Sequence, residues 1–290
     1  MESDLSQWQH FAAAQKSVQL AAGTVAHIPL TVRYLDKGVA EKGTLLLMHG
    51  IPTWGFLYHA VIDAFVADGY RVIAPDFLGH GWSDKRDCFD RSFKDQASMI
   101  IALLEILDIP KVNLVGHDTG GAVALMLAIE HPHLIQALVI TNSVCYDRFD
   151  DDMLDFGHPI RWKNRSVADL VTALEESLAA GLSRPDRLSQ YFREGIIAPW
   201  ASEEGKLSLI RNAAALNANQ TMALVDRHGS ISAPTLILWG MDDSWQKSED
   251  GKQLASEIPT AIFKAIDGAS HWLPQDAPEK FTAAILEFLT

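Results

Sequence analysis

The stretch Val112-Asn113-Leu114-Val115-Gly116-His117-Asp118-Thr119-Gly120-Gly121 constrains the fold more than any other part of the chain. A short apolar strand runs into a tight glycine turn, and residues 122–130 then favour a helix. This is the setting of a nucleophile elbow, written G-x-Nuc-x-G, in which the central residue is held exposed on a strained strand-to-helix turn. Serine is the usual occupant; here it is Asp118. An aspartate keeps the placement and changes the chemistry. A carboxylate can displace a leaving group from a saturated carbon and become an ester of itself, whereas a serine at such a turn attacks carbonyl carbon.

The chain shows no internal repeat, and its first half alternates strand and helix patterns. Residues 31–35, 44–48, 71–74, 112–115 and 137–141 read as strands, with helices over 57–68, 92–107 and 121–130 between them. Short, nearly continuous apolar strands alternating with amphipathic helices predict a mostly parallel sheet flanked by helices on both faces. The pattern resumes after Pro234 with a strand at 235–239, a helix at 251–258, a strand at 261–266 and a helix at 278–289. Residues 146–229 read differently: they are helical at 167–179 and 207–224, are interrupted by Pro and Gly, and offer no strand. The expected organisation is a core domain of residues 1–145 and 230–290 with a helical cap of residues 146–229. The cap would lie over the carboxyl ends of the strands, the edge at which open α/β sheets bind ligands. The acidic run 147–155 reads as a solvated loop without the carboxylate spacing of a calcium site.

Composition narrows the partners. A net charge of −13 argues against a nucleic-acid surface, which needs clustered Lys and Arg. Cys88 and Cys145 are too few for a disulfide framework and lack metal-ligand spacing. No basic leader runs into an apolar segment, and nothing approaches the ~18 apolar residues of a membrane span. A cytoplasmic protein without membrane partners is expected.

Further motifs follow strands in a fixed order: His49-Gly50-Ile51-Pro52-Thr53-Trp54, Asp76-Phe77-Leu78-Gly79-His80-Gly81-Trp82-Ser83-Asp84, the elbow, Trp239-Gly240-Met241-Asp242-Asp243, and Gly268-Ala269-Ser270-His271-Trp272. Together they span nearly the whole chain and resemble the α/β-hydrolase fold family, with its sequence order of nucleophile, acid and histidine. Within that family an aspartate elbow with His-Gly-x-Pro is similar to the haloalkane dehalogenase and epoxide hydrolase branch, and residues 49–58 are most similar to its dehalogenase side. The resemblance implies Asp118 as nucleophile, His271 as the base that activates water, and Asp243 or its neighbour Asp242 as the acid partner, the family spacing favouring Asp243. It implies an oxyanion hole from the backbone N–H groups of Ile51 and Thr119, and neither metal nor organic cofactor. Asn142 stands where some relatives carry the acid, and it cannot be a carboxylate. The N-terminal end of the helix after the elbow should favour ionised Asp118. His49 and His117 read as packing or hydrogen-bonding supports, and His228 as a surface or hinge residue.

The leaving group is less constrained. Haloalkane dehalogenases usually carry Trp directly after the nucleophile, its indole N–H binding the departing halide; this chain has Thr119. Other indoles could substitute: Trp54, Trp162, Trp200, Trp245 and Trp272, of which Trp245 and Trp272 neighbour the proposed catalytic residues. Fluoroacetate dehalogenases hold the substrate carboxylate with arginine near the elbow, and residues 119–124 offer none, which disfavours a small anionic haloacid. Epoxide hydrolases use two cap tyrosines as proton donors, and Tyr146 and Tyr191 are the candidates. An ester or lactone hydrolase, or a ligand-binding protein that keeps only the fold, are the remaining readings. The apolar content of the cap (Met153, Leu154, Phe156, Trp162, Leu170, Phe192, Ile196, Ile197) suggests a chamber for a small hydrophobic substrate, with water as co-substrate.

Overall fold

The apolar runs that follow one another along the chain assemble into a single eight-stranded sheet in the computed structural model, which describes residues 6–290. In chain order the strands are β1 (Lys16–Leu20), β2 (Leu30–Lys37), β3 (Thr44–Met48), β4 (Arg71–Pro75), β5 (Val112–Asp118), β6 (Ile135–Ser143), β7 (Thr235–Gly240) and β8 (Ala261–Ile266). Across the sheet they run β1-β2-β4-β3-β5-β6-β7-β8. The β1–β2 and β2–β4 pairs are antiparallel and all others are parallel. Every residue of β3, β5 and β7 is buried, as strands covered on both faces must be. Their side chains alternate between two apolar layers: Leu45, Leu47 and Val115 face one, and Leu46, Met48 and Leu114 the other.

Strand β1 is absent from the sequence expectation. Its residues KSVQL contain two apolar positions, and three of the five are exposed, so this edge strand carries no readable alternation. Its ladder with β2 and the ion pair from Lys16 to Asp36 define it instead.

Between β6 and β7 the chain forms helices and no strand: Asp151–Phe156, Pro159–Trp162, Val167–Ala180, Gln190–Ile197, Glu203–Ala214 and Ala218–Val225. The side chains of Asp150, Ser166, Ser189, Ser202 and Asn217 each accept a backbone N–H at a helix start. The last of these corrects the single helix expected over 207–224, because Asn217 opens a separate one. These helices pin the loops that leave β3 and β4. The Trp54 indole donates to the Gly195 carbonyl at 2.8 Å, and the Trp200 indole to the Pro52 carbonyl at 2.7 Å. Ser208 Oγ and Asn212 Nδ2 both donate to the Gly79 carbonyl at 2.8 Å. No helix among the described residues is long and apolar enough to cross a membrane.

Candidate active site

At the end of β5 the backbone of Asp118 takes φ 51° and ψ −123°, a left-handed conformation that costs a non-glycine residue free energy. The packing behind it explains how the chain holds that turn. A Cβ on Gly116 would sit 2.6 Å from the Gly120 carbonyl oxygen and 2.8 Å from Ala124 Cβ, so only glycine lets the helix Thr119–Glu130 return this closely over its own strand. That helix is buried from Thr119 to Ile129. The Asp118 side chain does not cap it. Instead Oδ2 accepts the Ile51 N–H at 2.9 Å, and Ser143 Oγ donates to the Asp118 carbonyl at 2.9 Å. The sequence suggests an easily ionised Asp118, and the N–H groups of Ile51 and Thr119, with His271, do act in that direction. Burial outweighs them and pushes its pKa up to about 6.

His271 and Asp243 arrive from the loops after β8 and β7. His271 Nδ1 lies 2.8 Å from Asp243 Oδ2, which leaves Nε2 as the free ring nitrogen. Asp242 is exposed and Asp243 is buried, so the structure brings Asp243 to the histidine and leaves its neighbour outside. Asp243 Oδ1 accepts the N–H groups of Trp245 at 2.8 Å and Gln246 at 3.0 Å. Asn142, in the left-handed region at φ 38°, donates to Asp243 Oδ2 at 2.7 Å and accepts the Gly240 N–H at 2.9 Å. Burial works against ionisation of Asp243, but His271, Asn142 and Gln246 overcome it and hold its pKa below the usual carboxylate value. Burial likewise works against a charged His271, and the negative charges of Asp243 and Asp118 outweigh it, so the imidazole pKa is raised.

Aromatic rings fix the His271 plane: Trp272 at 4.5 Å, His117 at 4.8 Å and Trp245 at 5.0 Å between centroids. His117 and His49 sit as supports. His117 Nδ1 lies 3.2 Å from Thr141 Oγ1, and His49 Nε2 accepts the Phe77 N–H at 3.0 Å. Burial drives both well below the ordinary imidazole pKa, His49 to about 4, so both rings are neutral.

Asp118, His271, Thr119, Ile51 and Trp245 line one cavity of about 20 Å³, together with Phe149, Asp150 and Leu216. That is room for about one water. The cavity separates the leaving-group candidates. The N–H of Trp54 is spent on Gly195, and that of Trp272 on the Leu178 carbonyl at 3.1 Å. Trp162 and Trp200 are committed in the same way, to Asp155 and Pro52. Trp245 lines the cavity, and its indole N–H has no partner among the described residues. The expected tyrosine pair is not there. Tyr146 donates to Glu257 at 2.9 Å, a carboxylate shared with His228 at 2.7 Å. Tyr191 packs edge-on against Phe56 and His59. Neither reaches the cavity, because each ring is held by another part of the fold. His228 is fully buried and so is not a surface residue.

Two side chains gained significance only in three dimensions. Asp150, read as part of a solvated run, lines the cavity; it caps Met153 at 3.1 Å and burial raises its pKa. A helix-start aspartate before an apolar Met153 was the available signal. The twofold grip of Asn142 on Asp243 and Gly240 had none, since its partners lie about a hundred residues away in sequence.

Comparison with known proteins agrees with this architecture. A family model described as alpha/beta hydrolase fold matches residues 43–278. The chain is 26% identical over 269 residues to haloalkane dehalogenase 2 of Mycobacterium tuberculosis, covering 88% of this chain and 90% of that protein. It is 26% identical over 278 residues to a cis-3-alkyl-4-alkyloxetan-2-one decarboxylase of Xanthomonas campestris, covering 90% and 92%. Among solved structures, an alpha/beta hydrolase fold protein from Burkholderia ambifaria superposes with a TM-score of 0.82 at 25% identity, covering 89% of this chain and 94% of its own.

Proposed function

The chain belongs to the α/β-hydrolase fold family, and from that premise we propose that it is a hydrolase that works through an ester formed on Asp118, similar in reaction type to haloalkane dehalogenases. The observation that carries this reading is the placement of Asp118: a carboxylate on a strained turn, one oxygen held by the Ile51 N–H, in the same cavity as His271.

In the first step Asp118 Oδ1 attacks an sp³ carbon of a small hydrophobic substrate, and the bonding pair leaves with the departing group as an anion. Oδ2 becomes the ester carbonyl, already under the Ile51 N–H at 2.9 Å and near that of Thr119. In the second step water attacks the ester carbonyl carbon while His271 Nε2 takes its proton, the same donors hold the oxyanion that develops on Oδ2, and its collapse expels the alcohol, which takes the proton back from His271 as the Asp118 carboxyl group is restored. Asp243 orients the ring and stabilises the imidazolium. The charges are ordered for this sequence. Asp118 is one of the anions that keep the His271 pKa raised, so esterification removes that support and frees the ring to act as a base. We assign residues 146–229 as the cap over this cavity.

A strained cyclic ester is the second reading. Ring opening by attack on the sp³ carbon of an oxetan-2-one releases a carboxylate, which needs no proton donor, and no tyrosine lines the cavity to supply one. An epoxide, whose alkoxide must be protonated, fits less well for the same reason.

The test is to replace His271 with Gln and weigh the intact protein after incubation with bromoalkanes, dialkyl oxetanones and epoxides. A stable adduct on Asp118 with the first or second class supports covalent catalysis and names the leaving group. No adduct, together with no turnover by the wild type, would sink the reading in favour of a binding protein that keeps only the fold.

A further inference from the structure

A second chamber, also about 20 Å³, lies against the first and shares Ile51, Thr119 and Leu216 as walls. Its remaining lining includes Arg91, His80 and Val123. Arg91 is 7% exposed and sits at φ 64°, so the chain accepts both a buried guanidinium and a strained backbone to place it. Its partners are neutral: Nη1 donates to Ser208 Oγ at 2.8 Å, and Nη2 to the Lys85 carbonyl at 2.9 Å. Its Nε–H is buried with no acceptor among the described residues. Burial, with the nearby Arg211, lowers its pKa to about 10 against the opposing charges of Asp87 and Asp84, which leaves it cationic at neutral pH, while His80 beside it is pushed well below the imidazole range and is neutral. A buried cation with no carboxylate in hydrogen-bond contact, one donor unfilled and a one-water space against the residue make a site for a small anion.

We infer that this chamber is an anion subsite, which receives the anionic leaving group released when Asp118 attacks its substrate. The group is a halide or a carboxylate oxygen, held by Arg91 Nε–H and, from the shared wall, by the Thr119 hydroxyl. The step balances without a proton: the charge lost from Asp118 on ester formation leaves with the departing anion. The Thr119 that follows the nucleophile then acquires a purpose, since the positive charge stands one wall behind it. The leaving-group role rests on the reading of Asp118 as nucleophile; the anion site itself does not.

The test uses the wild-type protein and sodium bromide. Anomalous diffraction from bromide-soaked crystals should place a bromide between Arg91 and Thr119, and chloride NMR linewidths in solution should report saturable binding. Arg91→Met should weaken halide binding at least about tenfold. Ser208→Ala, which removes one tether and keeps the charge, should retain it. Val123→Leu, which fills the chamber and leaves Arg91 in place, should lose it. Displacement of chloride by formate but not by formamide would point to a carboxylate leaving group, and failure of formate to displace it to a halide. A chamber empty of bromide, or identical linewidths in wild type and Arg91→Met, would overturn the site. Bromide in the chamber with no adduct on His271→Gln would overturn the leaving-group role alone.

Discussion

Asn142 Nδ2 lies 2.7 Å from Asp243 Oδ2, the same oxygen that faces His271 Nδ1 at 2.8 Å. One carboxylate oxygen is thus shared between the histidine and an amide fixed to the sheet edge, where Asn142 also accepts the Gly240 N–H.

Removing that amide should slow the enzyme without unfolding it. Asn142→Ala leaves Asp243 with one fewer donor, and hydrogen bonds to charged groups contribute about 1.5–3 kcal/mol, so turnover should fall about tenfold or more. The Asp243 pKa should also rise. Because its folded value is lowered, Asp243 stabilises the native state above the ordinary carboxylate pKa and loses that contribution as pH falls through the folded value. Thermal melts should therefore show the variant below wild type at neutral pH, with the gap narrowing in acid to the pH-independent part owed to the Gly240 bond and the left-handed backbone. An equal gap at every pH would contradict the assignment.

Asp118→Asn should abolish turnover and raise stability. The Asp118 pKa is about 6 in the folded chain, so its protonated form is favoured by folding, and that advantage disappears as pH rises through about 6. The ionised carboxylate then costs the fold about 2–3 kcal/mol at neutral pH relative to an unshifted aspartate. The neutral amide escapes that cost. The expected result is a higher Tm than wild type at pH 7 and none of this advantage below about pH 4; a lower Tm at pH 7 would count against it.

Ester formation should depend on pH through the same group. In the wild type, single-turnover alkylation should fall as pH drops below about 6, where Asp118 takes up its proton. His271 holds that pKa down, so in His271→Gln the midpoint should move upward. Rapid-quench mass spectrometry across pH measures both. A midpoint that stays put would mean that the two groups do not sense each other.

Two neighbouring tryptophans should behave in opposite ways. Trp245→Phe removes an indole N–H that makes no hydrogen bond among the described residues, on a ring that lines the cavity, and should slow ester formation about tenfold with little change in melting. Trp272→Phe leaves the Leu178 carbonyl without its donor and should cost about 1–3 kcal/mol of stability, with ester formation affected less. Denaturant melts paired with single-turnover rates distinguish them.

How much of this was legible in the chain depends on how local each signal is. The inner strands announce themselves because both faces are apolar, whereas β1, with Lys16, Ser17 and Gln19 in five positions, is defined only by its ladder with β2. Asp118, His271 and Asp243 could be picked out because each follows a strand, in the order in which the chain builds the sheet edge. The choice between Asp242 and Asp243 needed burial, which no letter carries. Among the indoles proposed as leaving-group donors, position beside His271 and Asp243 singled out Trp245 and Trp272 but could not separate them. Whether an indole is free depends on carbonyls brought from elsewhere: Gly195 for Trp54, Pro52 for Trp200, Leu178 for Trp272. The tyrosines failed as candidates for the same reason, Tyr146 being taken by Glu257 and Tyr191 by an aromatic cluster.

The cavity beside Asp118 holds about one water, and an organic substrate is far larger than that. Binding should therefore move part of the lining, and Phe149, Met153 and Leu216 are all contributed by the chain between β6 and β7. Opening of that wall is then expected to limit turnover together with bond breaking. Its rate should then respond to solvent viscosity, and good and poor leaving groups should converge on one ceiling set by how often the wall opens.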